Sequence, residues 1–159
     1  MDFYDLMSKS AEDVGLQLSK EQYEKFLIYM KILQEWNEKI NLTAIVEDEE
    51  VIKKHCIDSI KSFKRDELKN AKNLIDVGTG AGFPGMVLAI CNPNITFTLM
   101  DSVGKKTKFL EIVKETLKLE NVNVVNARAE EFINEENRES FSIGLCRGVS
   151  KLPTILEYM

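Results

Sequence analysis

The chain is short of the residues that build metal sites, disulfide frameworks and membrane spans. Its 159 residues include three cysteines, one histidine and three prolines. Cys56, Cys91 and Cys146 lie far apart with no Cys-x-x-Cys spacing, and the lone histidine is His55. These are too few soft ligands for a structural zinc site and too irregular for a disulfide scaffold, so no metal is expected and a reducing cytoplasm is the simplest setting. No apolar run approaches the ~20 residues of a membrane-spanning helix, and the N-terminus is acidic and amphipathic rather than basic and apolar, which argues against a membrane partner and against secretion. Internal repeats and low-complexity linkers are absent too. Positive charge is in deficit, with 21 Lys and Arg against 26 Asp and Glu and a net charge of −5. General affinity for free nucleic acid is therefore not expected, since it depends on neutralising phosphates. Two local basic clusters remain, Lys53-Lys54-His55 and Lys105-Lys106-x-Lys108, and short runs of this kind read first as solvated faces.

What the chain does hold is an apolar fraction of 44% with 30% charged residues, the composition of a soluble globular protein with one core. Up to about Arg65 the pattern is helical. Phe3, Leu6, Met7 and Val14 suit a short amphipathic helix stopping at Gly15. Ser19 followed by Gln22 is a capping box, and after it Tyr23, Phe26, Leu27, Met30, Leu33 and Trp36 trace one helix face. A third helix is expected from about Asp48, with Val51, Ile52, Cys56 and Ile60 facing inward. From Leu74 the period changes. Strands are expected at Leu74–Val77, Ile95–Met100, Val122–Val125 and Phe141–Leu145, with helices at Pro84–Ile90 and Thr107–Leu119 and a last helix from about Leu152. Alternating strand and helix implies an α/β fold with a parallel sheet and ligands at the carboxyl ends of its strands.

The densest signal is NLIDVGTGAGFPG, Asn73 to Gly85: a buried strand, the acidic Asp76, and glycines at Gly78, Gly80, Gly82 and Gly85. Clustered glycines cost backbone entropy, so a ligand against the main chain is the first explanation. A second apolar strand ends in Asp101, about 20 residues further on, as nucleoside-binding folds require. Read for NAD, Gly-x-Gly-x-x-Gly counted from Gly78 fails at Phe83, while Gly80-x-Gly82-x-x-Gly85 fits the spacing late and encloses Pro84. Read as a P-loop, the turn lacks Gly-Lys-Ser/Thr. Read for S-adenosylmethionine (SAM), the order acid, Val, Gly, x, Gly, x, Gly is suitable. This cofactor needs no phosphate cradle, only bare backbone beside its methionine end and an acidic acceptor for its ribose hydroxyls. Gly78, Gly80 and Gly82 can supply the first and Asp101 the second. Asp76 sits beneath the turn, within reach of the cofactor's ammonium directly or through water.

Several stretches together resemble one family. WNEKINLTAI (Trp36–Ile45), HCIDSI (His55–Ile60), DVGTGAGFPG, LMDSVGKKTKFL (Leu99–Leu110) and NARAEEF (Asn126–Phe132) are similar to the RsmG, or GidB, family of guanine-N7 methyltransferases acting on small-subunit ribosomal RNA. The resemblance implies a class I SAM-dependent methyltransferase fold, Rossmann-like. It divides the chain into a helical N-terminal cap at residues 1–65 and a partial SAM-binding domain at residues 66–159. It also implies cofactor contacts from Gly78, Phe83, Asp101, Ala129, Glu130 and Arg147, with Asn41, Arg128 and Arg147 in the catalytic neighbourhood; the acidic charge balance points to the assembled subunit rather than free RNA as partner.

The residues agree with that chemistry. No Asn/Asp-Pro-Pro-aromatic turn, the mark of exocyclic-amine methylation, follows the fourth strand, and Cys146 lacks the context of a pyrimidine nucleophile. Guanine N7 has an in-plane lone pair and no proton to lose, so orientation without a general base suffices, an effect worth up to ~7–11 kcal/mol. Arg128 and Arg147 can bond guanine O6 or a phosphate; the alternative is an ion pair with Glu130 or Glu131. His55 and Asp58 share a helix turn and read as structural. FSIGLCRGVSKLP (Phe141–Pro153) departs from the family, with Ser142 for the usual Asp, Gly144 inside a strand and Gly148 after Arg147. The family's chains continue into further strands, so an incomplete sheet and weak turnover are expected here. Two other functions stand beside this one: a non-catalytic SAM-binding or assembly module, and a nicotinamide-dependent oxidoreductase.

Overall fold

A computed structural model describes residues 2–39, 49–64, 71–128 and 143–146. Helix α1 spans Phe3–Asp13, with the Asp2 carboxylate accepting from the Asp5 amide at 2.8 Å as its N-cap. It ends in a Schellman pattern: the Leu16 and Gly15 amides donate to the Ala11 and Glu12 carbonyls, with Gly15 at φ 83°. Helix α2 is Lys20–Lys39, and the expected capping box closes both ways. Ser19 N–H donates to Gln22 Oε1 at 2.9 Å and Gln22 N–H to Ser19 Oγ at 3.1 Å. Helix α3, Glu49–Lys61, runs into a 3₁₀ turn at Ser62–Lys64.

The α/β portion follows: β1 (Asn73–Val77), α4 (Gly85–Cys91), β2 (Thr96–Asp101), α5 (Gly104–Leu117), β3 (Val122–Asn126) and β4 (Ile143–Cys146). The four strands are all parallel, in the order β3-β2-β1-β4. In β1 every residue after Asn73 is buried, as is every residue of β2 after Thr96. That is why these strands read as continuous apolar runs: a central parallel strand is covered on both faces. β3 is partly exposed and lies outside them. Gly144, the weak point expected in β4, pairs with Ile75 in the β1–β4 ladder.

Helix α4 is buried along all of Gly85–Cys91, which explains its unbroken apolar sequence. Asn121 pins the loop after it, its Nδ2 lying 3.1 Å from the Ala89 carbonyl oxygen and 3.0 Å from those of Asn92 and Ile95. The helical segment packs directly on this side of the sheet. Met7, Phe26, Leu33, Ile52 and Ile60 share one apolar core with Leu88, Phe97, Phe109 and Val122. α2 lies against α4 and α5, and α3 against α4. Leu27, expected on the inner face of α2, is 41% exposed, and Tyr29 takes a fully buried place on that helix instead.

Candidate functional site

The order β3-β2-β1-β4 puts a topological switch beside β1, the place where open α/β sheets bind ligands at their carboxyl edge. β1 ends there at Val77 and the glycine turn begins. Gly78, Gly80 and Gly82 have φ of 70°, 59° and 99°, in the region that excludes most side chains. Gly78 N–H and Thr79 N–H both donate to the Met100 carbonyl, at 2.8 and 3.2 Å, so the turn folds over the end of β2.

Two carboxylates hold it there. Asp76 is wholly buried, and its Oδ2 accepts from Thr79 Oγ1 and from the Gly85 amide, both at 2.9 Å. It thus joins the start of the turn to the first amide of α4, where Pro84 offers no side-chain cap. Asp101, at the end of β2, accepts from the Gly80 amide through Oδ2 at 3.0 Å and from the Val103 amide through Oδ1 at 2.9 Å. A carboxylate has about four acceptor positions, so two remain for a ligand. The acid that the sequence places some twenty residues downstream is therefore bonded directly to the turn.

The glycines serve different ends. A Cβ on Gly85 would lie 2.4 Å from Leu99 Cδ2 and 2.6 Å from Asp76 Oδ2, and one on Gly82 would lie 2.7 Å from the Tyr29 hydroxyl. At both positions the protein itself fills the space. At Gly80 no atom of the described residues lies within 4 Å of that position. Of these three positions, Gly80 is the one where open space leaves room for a ligand beside bare backbone.

Phe83 is buried, its ring 5.9 Å from Tyr29 and 5.5 Å from His55. That contact places the lone histidine, itself partly buried, against the ring of Phe83. Tyr29 was missed in the sequence although it falls at helical spacing between Phe26 and Leu33. Its phenol donates to the Ala81 carbonyl inside the turn. Burial above all, with the Cys56 thiol and the Asp76 carboxylate adding to it, holds its pKa well above the ordinary 10.0.

Arg128 is exposed just beyond the carboxyl end of β3, where the neighbouring Ala127 amide donates to the Asp101 carbonyl at 3.1 Å. Among the described residues it makes no ion pair. With its amide oriented to suit its neighbours, Asn126 donates to the Asp101 and Ser102 carbonyls at 3.2 and 3.3 Å, tying β3 to the same corner. Asn41, Ala129, Glu130 and Arg147 lie outside the described residues, as do Glu131 and the helix expected from Leu152. A cavity of about 420 Å³ between Gly15, Phe63, Cys91 and Ile95 opens at the other end of the sheet and has no part in this corner. Among the described residues no three His, Cys, Asp or Glu gather as a metal site, and no helix is long and apolar enough to cross a membrane.

A parallel sheet with a glycine turn after β1 and an acid ending β2 defines a Rossmann-like domain of the class I methyltransferase type. The family described as "GidB: rRNA small subunit methyltransferase G" matches residues 22–159, and the chain belongs to that family. It is 62% identical to the ribosomal RNA small subunit methyltransferase G of a Clostridium botulinum strain, over 99% of this chain and 66% of that protein. The proteins of the same name from Clostridium beijerinckii and Clostridium perfringens are 60% and 48% identical, with the same shares covered. The chain thus spans 66% of the length of these relatives.

Proposed function

We propose that this protein methylates N7 of a guanine in small-subunit ribosomal RNA, with SAM as methyl donor, in the cytoplasm and on the assembled subunit. The observation that carries the reading is the 3.0 Å bond from the Gly80 amide to Asp101 Oδ2. It brings an acceptor-rich carboxylate and open backbone to one corner, and among the described residues nothing lies within 4 Å of a Cβ on Gly80. These residues fit a nucleoside whose other end is an amino acid. When bound, SAM would supply an activated methyl on a sulfonium.

In this reading Gly78, Gly80, Gly82 and Phe83 offer main chain to the methionine end, with Asp76 acting on it through the turn. The Asp101 carboxylate accepts from the ribose hydroxyls, and Ala129, Glu130 and Arg147 complete the cofactor contacts. Asn41, Arg128 and Arg147 face the base, the arginines suited to guanine O6 or a flanking phosphate. N7 needs no deprotonation, so the protein's part is to hold the base still and exclude competing water. Residues 1–65 act as a cap and residues 66–159 as the binding domain.

Calorimetric titration tests the cofactor: saturable heat with S-adenosylhomocysteine and none with NADH is expected, and the opposite pattern sinks the SAM reading. Transfer from labelled SAM to small subunits lacking the modification tests the reaction. Label that lands on an atom other than guanine N7, or transfer to free RNA that matches the subunit, would overturn the corresponding part.

A further inference from the structure

We propose that Tyr29 of α2 is a positioning residue for the glycine turn, holding the Ala81–Gly82 peptide in the orientation that cofactor binding uses. The proposal rests on the reading of this turn as a cofactor cradle. Ala81–Gly82 is a trans peptide, so its carbonyl and its N–H point in opposite directions. Tyr29 Oη–H donates to the carbonyl. From the other edge, the Gly82 N–H donates to the Thr79 carbonyl at 3.0 Å. The peptide plane is thereby pinned on both sides.

The need for a pin comes from the neighbours. Gly80 and Gly82 flank Ala81, and two glycines give the backbone between them freedom to flip. A flip would turn the buried Ala81 carbonyl away from its donor and pull on Gly80, whose amide holds Asp101. The phenol is itself fixed. Its ring packs 5.9 Å from Phe83 and 6.4 Å from Phe109, and the absence of a Cβ on Gly82 is what lets the hydroxyl in. Because burial raises its pKa well above 10.0, Tyr29 stays a donor throughout the neutral range. The helical segment therefore contributes a working part to the corner formed by β1 and β2.

Tyr29→Phe removes the hydroxyl and keeps the ring. Two measurements on the full chain test the proposal. In ligand-free protein, amide exchange at Gly80 and Gly82 is expected to speed up roughly tenfold, while the inner amides of β1 and β2 keep wild-type rates. Affinity for S-adenosylhomocysteine is expected to fall roughly five- to tenfold, because only the fraction with the turn in place binds. Unchanged turn exchange and affinity would overturn the proposal, as would acceleration spread evenly over β1, β2 and the turn, the mark of a merely structural residue. A wild-type chain that ignores S-adenosylhomocysteine while the local exchange difference persists would overturn the cofactor reading and leave Tyr29 as the residue that sets the turn.

Discussion

Gly80 and Gly85 stand five positions apart in one turn, yet an added methyl should do opposite things at the two. In Gly85→Ala the new carbon would lie 2.4 Å from Leu99 Cδ2 and 2.6 Å from Asp76 Oδ2. Carbon atoms prefer about 3.5–4.0 Å, so something must shift by about 1 Å. Leu99 is fully buried in β2 and cannot yield cheaply; overpacking of this kind costs roughly 1–3 kcal/mol. Asp76 must also move, straining the charge-assisted bonds from Thr79 and Gly85, each worth about 1.5–3 kcal/mol. A total of roughly 3–5 kcal/mol is expected, which lowers Tm by about 10 °C or more. In Gly80→Ala the methyl meets nothing within 4 Å among the described residues, and φ 59° is what opposes it. The left-handed strain of about 1–2 kcal/mol is partly offset by about 0.4–1 kcal/mol from the less flexible unfolded chain, leaving a loss near 1 kcal/mol. The same methyl stands in the space assigned to the cofactor, so S-adenosylhomocysteine affinity should fall tenfold or more. Urea unfolding and calorimetry on both variants decide the matter. If Gly80→Ala proves the less stable of the two, or binds S-adenosylhomocysteine like wild type, the division of labour among the glycines is wrong.

Asn121→Ala removes an amide whose two N–H groups are shared among the carbonyls of Ala89, Asn92 and Ile95, and a loss of about 1–3 kcal/mol is expected in urea unfolding, with faster amide exchange at Ile95. Lys118 caps α5 at φ 55°, so Lys118→Gly should raise stability by about 0.5–1 kcal/mol, read as a Tm gain of about 1–4 °C. Burial pushes Cys56, aided by nearby Cys91, and Cys91 itself up from 9.0 to about 12. Well below pH 9 the thiols are protonated in the folded and the unfolded chain alike. From pH 9 to about 12 the unfolded chain alone releases the protons, so stability should fall as pH rises through that window, by up to about 1.4 kcal/mol per unit for each thiol. Urea midpoints measured from pH 8 to 10.5 test the sign, and Cys91→Ala should lessen the slope.

Periodicity made most of the fold legible before any coordinates. Continuous apolar runs marked β1 and β2 because those strands are covered on both faces, and the Ser19–Gln22 pair marked the start of α2. The start of α5 was read three residues late, at Thr107 instead of Gly104, since glycine and two lysines carry no inward face. The order β3-β2-β1-β4 was not legible, because pairing partners are chosen by long-range packing that a linear pattern does not encode. At the candidate site, spacing alone connected Asp101 to the glycines, and a direct hydrogen bond stands behind it. Spacing could not separate the glycine that faces open space from those that face Leu99 or Tyr29, because that depends on which side chain arrives from a distant helix. Tyr29 itself went unnoticed for the same reason: on a helical stripe a phenol reads as one more apolar ring.

That stripe carries a further consequence, an optical one. The chain has one tryptophan, Trp36, and its indole lies 6.0 Å from Phe109, the ring that also contacts Tyr29 at 6.4 Å. Tyr29 and Phe109 thus form a line of ring contacts between the glycine turn and the indole, whose emission follows its surroundings. Addition of S-adenosylhomocysteine is therefore expected to change the native emission of this single fluorophore, and an unchanged spectrum on saturation would show that the ring contacts carry no signal from the turn.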